Sequence, residues 1–269
     1  MNPGLRTGEP SSEPRGEPPG EPAGRRRPGL PRPLRFIGGA GFTLAGSCEV
    51  CGGWTDRRLC PPCRQQYAAP QPRCRHCALP LAGGQAVCGQ CLRTPPPVQR
   101  CLCVADYGFP WDRLILRFKH HQAPELALLL GDCLAVAARH DGLPLPEAFV
   151  PVPLSDQRLA ERGYDQAWQL ARQLGRRLQR PARADWLQRR FDGRPQAGLS
   201  RRERLTQLRG AFGLRAGAPA QVQGRHLALV DDVLTTGATA FEAAATLLAA
   251  GVRQVDLWVV ARTPAPAPD

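Results

Sequence analysis

Apolar positions along the chain fall into two textures, and the boundary lies near residue 98. Beyond it, strand-like and helix-like patterns alternate. Residues 99 to 107 read as a strand, and Trp111, Leu114, Ile115 and Phe118 recur at helical spacing. Residues 126 to 138 form a second helical stretch, and Phe149 to Val152 a short apolar strand that leaves into a polar loop. Tyr164, Ala167, Trp168, Ala171, Leu174 and Leu178 mark one face of an amphipathic helix. Ser200 with Glu203 is a capping-box pair opening a short helix. In the last third the pattern predicts a strand over 226 to 231, a helix from Ala238 to Ala250 closed by Gly251, and a strand over 254 to 260. Strand, helix and strand in repetition predict an α/β domain with a parallel sheet over residues 98–263.

Before residue 98 the chain cannot build such a core. Residues 1–40 carry repeated Glu-Pro steps and Arg25, Arg26 and Arg27 with few apolar side chains, so a disordered tail is expected. Between residues 45 and 97 stand four Cys-x-x-Cys pairs: Cys48/Cys51, Cys60/Cys63, Cys74/Cys77 and Cys88/Cys91. Two cysteines two residues apart present both thiolates to one ion from a tight turn, and two such turns complete a tetrahedral set suited to Zn²⁺. The spacing therefore predicts a cysteine-rich double zinc ribbon with two structural sites. Disulfides and an iron–sulfur cluster are the competing uses of these thiols. Short intervening loops favour pairing the first pair with the second and the third with the fourth; spacing alone leaves crossed pairing open. Cys101, Cys103 and Cys133 fall outside the pattern and read as small buried apolar groups, and His76 as a bystander. The run Thr94-Pro95-Pro96-Pro97 is a stiff spacer between the two regions.

Charge sharpens the picture only where it is concentrated. The formal net charge is +13, and every basic residue but Lys119 is arginine, which looks like a GC-rich coding habit. Residues 154 to 216, however, hold fifteen Arg against six acids, an excess that points to a polyanionic ligand nearby. No apolar run reaches the length of a membrane helix, and the polar start carries no secretory pattern. A cytoplasmic protein without membrane insertion is expected.

The chemistry concentrates in ALVDDVLTTGAT, residues 228 to 239. An apolar strand ends in Asp231 and Asp232, and Thr235, Thr236, Gly237, Ala238 and Thr239 then open a helix. Free amides at a helix start, with Thr hydroxyls and a permissive glycine, suit a phosphate monoester. The two carboxylates would repel a polyphosphate but accept hydrogen bonds from vicinal hydroxyls. A monophosphate next to a diol is a ribose 5-phosphate.

That stretch resembles the 5-phosphoribosyl 1-diphosphate (PRPP) motif of type I phosphoribosyltransferases. Residues 48 to 263 are similar to the ComF/GntX family, in which a double zinc ribbon precedes such a domain. The resemblance is carried by the four Cys pairs, VADYG at 104 to 108, Phe118-Lys119, PVPL at 151 to 154, Arg158 with Arg162-Gly163, and the run Arg204 to Phe212. It implies a type I phosphoribosyltransferase-like sheet with helices. In it Asp231 and Asp232 contact the ribose hydroxyls and act in catalysis, and Thr235 to Thr239 cradle the 5-phosphate. Arg158, Arg162 and Gly163 meet the pyrophosphate with Mg²⁺, and Lys119 is a further candidate phosphate contact. Arg201, Arg202, Arg204 and Arg209 are expected on a segment covering the site. The chain departs from the family in Asp165, where Asn is usual; that added charge is better placed as a cap of the following helix.

Three functions follow from the resemblance. The first is phosphoribosyl transfer to an unidentified base with pyrophosphate release. The second is PRPP sensing without turnover. The third is single-stranded DNA handling in natural competence or DNA utilisation, with competence or recombination proteins as partners. Sixteen aromatic residues in all, eight Phe, five Trp and three Tyr, form no basic-aromatic stacking platform.

Overall fold

The computed structural model describes residues 46–120, 122–142, 144–190 and 210–264. The expected tail over 1–40, the Ser200/Glu203 helix and Arg201, Arg202, Arg204 and Arg209 lie outside the described residues. Strands β1 (Gly46–Ser47) and β2 (Trp54–Thr55) pair antiparallel around the first cysteine turn, and short helices α1 (Pro61–Tyr67) and α2 (Gly89–Arg93) each begin just after a cysteine that acts as N-cap. Strand β3 (Arg100–Asp106) follows, then helices α3 (Trp111–His120) and α4 (Leu126–His140), strand β4 (Ala148–Pro151), and helices α5 (Asp156–Arg162) and α6 (Gln166–Leu178). A small antiparallel pair, β5 (Leu187–Arg189) and β6 (Phe212–Leu214), precedes α7 (Ala218–Val222), β7 (His226–Leu234), α8 (Ala238–Ala249) and β8 (Gln254–Arg262).

The four long strands form a wholly parallel sheet in the order β3-β8-β7-β4. Both faces are covered, which is why these strands are nearly continuous in apolar residues instead of alternating. On one face, Leu102, Val104, Phe149, Val230, Trp258 and Val260 pack under α3, α4 and α6. On the other, Val150, Leu229, Leu257 and Val259 meet α8 and the β5/β6 pair. Helices α4 and α6 approach closely at Gly131, where a Cβ would lie 2.6 Å from Gln173 Cγ. The expected fold class, a parallel α/β sheet behind a cysteine-rich unit, is what the chain adopts.

Two differences from the pattern bear on the ligand end of the sheet. Strand β7 runs to Leu234, three residues beyond the expected end, because Asp231, Val233 and Leu234 pair with Val259, Ala261 and Arg262 of β8. The polar stretch after β4 contains helix α5, whose start is capped by Ser155 Oγ accepting from the Arg158 amide and whose end turns through Gly163 at φ +75. That helix buries no side chain, so its apolar pattern gave no sign of it. Asp165 caps α6 as expected, accepting from the Trp168 amide at 2.9 Å.

Candidate functional site

All four parallel strands send residues to one cavity of about 370 Å³ at their carboxyl ends. Tyr107 enters after β3, Val152 to Leu154 after β4, Asp231 to Thr235 from the end of β7, and Thr263 after β8. Open parallel sheets bind ligands at this edge, where the loops diverge. The cavity gathers Lys119, Arg158, Arg162, Asp231, Asp232, Thr235, Gly237, Ala238 and Thr239 from the residues predicted by sequence. Gly163 and Thr236 do not line it. The first shapes the turn after α5, and the second accepts from the Ala238 amide at 3.4 Å.

The acid pair sits in a charged but partly closed corner. Asp231 Oδ1 accepts from the Asp232 amide at 2.8 Å, and Asp232 is buried against Lys119, whose Nζ lies 3.0 Å from its Oδ1. Burial and, after it, the neighbouring Asp232 carboxylate push Asp231 up to about 7, with Lys119 opposing them. Asp231 therefore exchanges its proton where a cation or a diol can decide its charge.

Beyond the acids the backbone is arranged for an anion. Gly237 precedes α8 at φ +84, and a Cβ there would lie 2.2 Å from the Phe241 ring, so glycine is required both by conformation and by space. The N-cap Gly237 offers no side chain to cap α8, and apart from the Ala238 amide, which donates to Thr236 Oγ1, this leaves the amides of its first turn available at the positive end of the helix. Across the cavity Arg158 and Arg162 stand one turn apart on α5.

Two contributors were not apparent from sequence. Gln166 is 1% exposed; its Oε1 accepts from Arg162 Nη1 at 3.0 Å, while its Nε2 is buried without a partner in the cavity wall. The apolar pattern of α6 gives no sign of its burial. Arg262 is 8% exposed at the end of β8, donating Nε to the Cys77 carbonyl at 2.8 Å and Nη1 to the Leu234 carbonyl at 3.1 Å. It thus ties the second cysteine group to the residue before the phosphate-type loop. The pairing of distant carbonyls that defines its role leaves no trace in local sequence.

The cysteines gather as two groups, Cys48, Cys51, Cys60 and Cys63, and Cys74, Cys77, Cys88 and Cys91, each with its sulfurs within 4.8 Å of one another. Sequential pairing is therefore the one adopted. Cys51 and Cys60 Sγ lie 3.8 Å apart and Cys77 and Cys88 Sγ 3.7 Å apart. A tetrahedral ion with Zn–S bonds of ~2.3 Å needs S···S edges of about 3.8 Å, so either group can hold Zn²⁺. Backbone amides of Cys60 and Cys88 point at Cys48 and Cys74 Sγ, as thiolate ligands require. His76 stays outside the group, with Nδ1 3.1 Å from the Val98 carbonyl. Cys101, Cys103 and Cys133 are buried, and burial pushes the thiols of Cys103 and Cys133 up to about 11 and about 12, which makes them poor nucleophiles.

Among the described residues no helix is long and apolar enough to cross a membrane. No family model matches the chain. It is 36% identical over 232 residues to DNA utilization protein YhgH of Escherichia coli strain K12, an alignment spanning 82% of this chain and 99% of that protein. It is 37% identical over 208 residues to Competence protein F of Haemophilus influenzae, spanning 76% of this chain and 90% of that one. Among solved structures, glutamine PRPP amidotransferase from B. subtilis aligns at 17% identity with a TM-score of 0.35, over 54% of this chain and 30% of that chain.

Proposed function

The chain belongs to the ComF/GntX family, that of these DNA utilization and competence relatives, and on that premise we propose that it binds PRPP with Mg²⁺ and transfers the phosphoribosyl group with release of pyrophosphate. The observation that carries this reading is the meeting of two carboxylates, an uncapped helix start and two arginines around one cavity. Each group suits one part of the ligand. Asp231 and Asp232 accept hydrogen bonds from the vicinal ribose hydroxyls. The segment Thr235 to Thr239 holds the 5-phosphate at the start of α8. Arg158 and Arg162 face the pyrophosphate, Gln166 holds Arg162 in place, and Lys119 pairs with Asp232 while offering its ammonium to the same anion.

Transfer breaks the bond between ribose C1 and the pyrophosphate oxygen, so negative charge grows on the leaving group and positive charge on the ring. The arginines stabilise the first and the acid pair the second. Mg²⁺, when bound with the ligand, neutralises part of the pyrophosphate charge. Zn²⁺ held by either cysteine group would be structural, since four protein sulfurs would close each site. The relatives' names support a place in DNA utilisation or competence, and single-stranded DNA is the second partner of this reading.

Incubation with PRPP, Mg²⁺ and a panel of nitrogenous bases tests the reading. Pyrophosphate release with one of them is expected. Mg²⁺-dependent binding without release for any base would make the protein a PRPP sensor, and absence of binding would overturn the assignment.

A further inference from the structure

Solvent reaches the cysteines of the first group and is kept from those of the second. In the second group no cysteine is more than 9% exposed, and Leu79, Leu81 and Val87 pack against the four. In the first group Cys48 and Cys63 are buried with Leu59 in the core, but Cys51 is exposed and Cys60 half-buried. The opening has a local cause. Cys51 is followed by Gly52 and Gly53. A Cβ on Gly52, at φ +72, would meet nothing within 4 Å, and a Cβ on Gly53 would lie 3.4 Å from Cys51 Sγ. The turn therefore carries no side chain of its own to shield that sulfur.

We propose that Cys51 and Cys60 are a site of reversible oxidation by hydrogen peroxide, at which disulfide formation releases the ion of the first group while the second group keeps its own. Proximity does not distinguish the groups, since Cys51 and Cys60 Sγ lie 3.8 Å apart and Cys77 and Cys88 Sγ 3.7 Å. Access of the oxidant does. A cysteine that ligates zinc is a thiolate, the nucleophilic form. Cys51 Sγ attacks one peroxide oxygen; an S–O bond forms, the O–O bond breaks and hydroxide leaves. Cys60 Sγ then attacks the sulfur of that sulfenic acid; the S–S bond forms, the S–O bond breaks and a second hydroxide leaves. The two thiolates have lost two electrons, the peroxide has gained them, and both hydroxides take protons from solvent to become water. Cys48 and Cys63 alone cannot complete a tetrahedral site, so the ion departs. The new bond still joins the first turn to the start of α1, and a dithiol that becomes oxidised in its place restores both ligands. The proposal rests on zinc filling both cysteine groups and is independent of the PRPP reading.

Metal analysis of the full chain, followed by hydrogen peroxide in the presence of a chromophoric zinc chelator and by mass-spectrometric mapping of disulfides, tests it. One zinc per chain should leave about tenfold faster than the other, with Cys51 joined to Cys60, and a dithiol with added Zn²⁺ should restore the starting content. Gly53→Val places a branched side chain beside Cys51 Sγ without altering a ligand, at a position outside the left-handed region. That variant should start with the native zinc content and lose the first ion about fivefold more slowly than the native chain. Two ions leaving at one rate, two ions that both resist peroxide, a disulfide in the second group, or loss from Gly53→Val as fast as from the native chain would each overturn the proposal alone. A chain with no zinc in the first group before oxidation would overturn the zinc reading and the proposal with it.

Discussion

The two cysteine groups share a spacing and a sulfur geometry, yet they are fastened to different parts of the molecule. The first sits on the helical layer. Cys48, Leu59 and Cys63 join the core under α3 and α4, and Glu49 takes Arg117 Nη1 at 3.1 Å, while Cys51 remains exposed. The second is built into the edge and the ligand end of the sheet. All four of its sulfurs lie in a small cluster of their own, the Arg75 carbonyl accepts from the Cys101 amide of edge strand β3 at 2.6 Å, and Cys77 is held by Arg262. Covering an edge strand removes unpaired backbone groups that would otherwise invite association. One ligand pattern thus serves two ends: the first group supports packing, and the second borders the loop on which the proposed ligand binding rests.

Removing one ligand from each group is the strongest way to break this contrast. Cys77→Ser should lose one zinc and lower PRPP affinity on the order of 100-fold, since the loop support goes with it; Cys51→Ser should lose one zinc with affinity changed by no more than about twofold. Metal analysis with calorimetry on both variants checks it, and equal losses of affinity would erase the distinction. A smaller effect isolates the link itself. Arg262→Gln should retain both metals and bind PRPP about tenfold more weakly, a cost of ~1.4 kcal/mol, because two buried carbonyls lose their shared donor. Unchanged affinity in that variant would confine Arg262 to a packing role.

Protonation offers a third probe at the loop end. Because Asp231 is raised to about 7, its ionised, ligand-accepting form is present above that pH and is lost as pH falls through it. PRPP affinity should therefore drop by up to about tenfold between about pH 8 and about pH 6, and Asp231→Asn should flatten the profile, as titration by calorimetry would show. Smallest of all, Asp165→Asn should leave affinity nearly unchanged, because either side chain caps α6.

Much of this was legible in sequence because local chemistry fixed it. Four regular Cys pairs can close only on an ion or on each other, and the order of acids, Thr-Thr-Gly and helix start is enough to place the loop of α8. What escaped depended on long-range pairing. The extra length of β7 is set by partners on β8, α5 is held by its caps instead of an apolar face, and Arg262 and Gln166 gain their roles from carbonyls and a guanidinium that sequence does not bring together.

The proposed PRPP site rests on the acid pair and the loop after β7. Isothermal calorimetry of Mg²⁺ and PRPP with the native chain and with Asp231→Ala combined with Asp232→Ala tests it most directly. Mg²⁺-dependent binding should be lost in the double variant while its zinc content is unchanged; equal affinity in the two proteins would contradict the assignment.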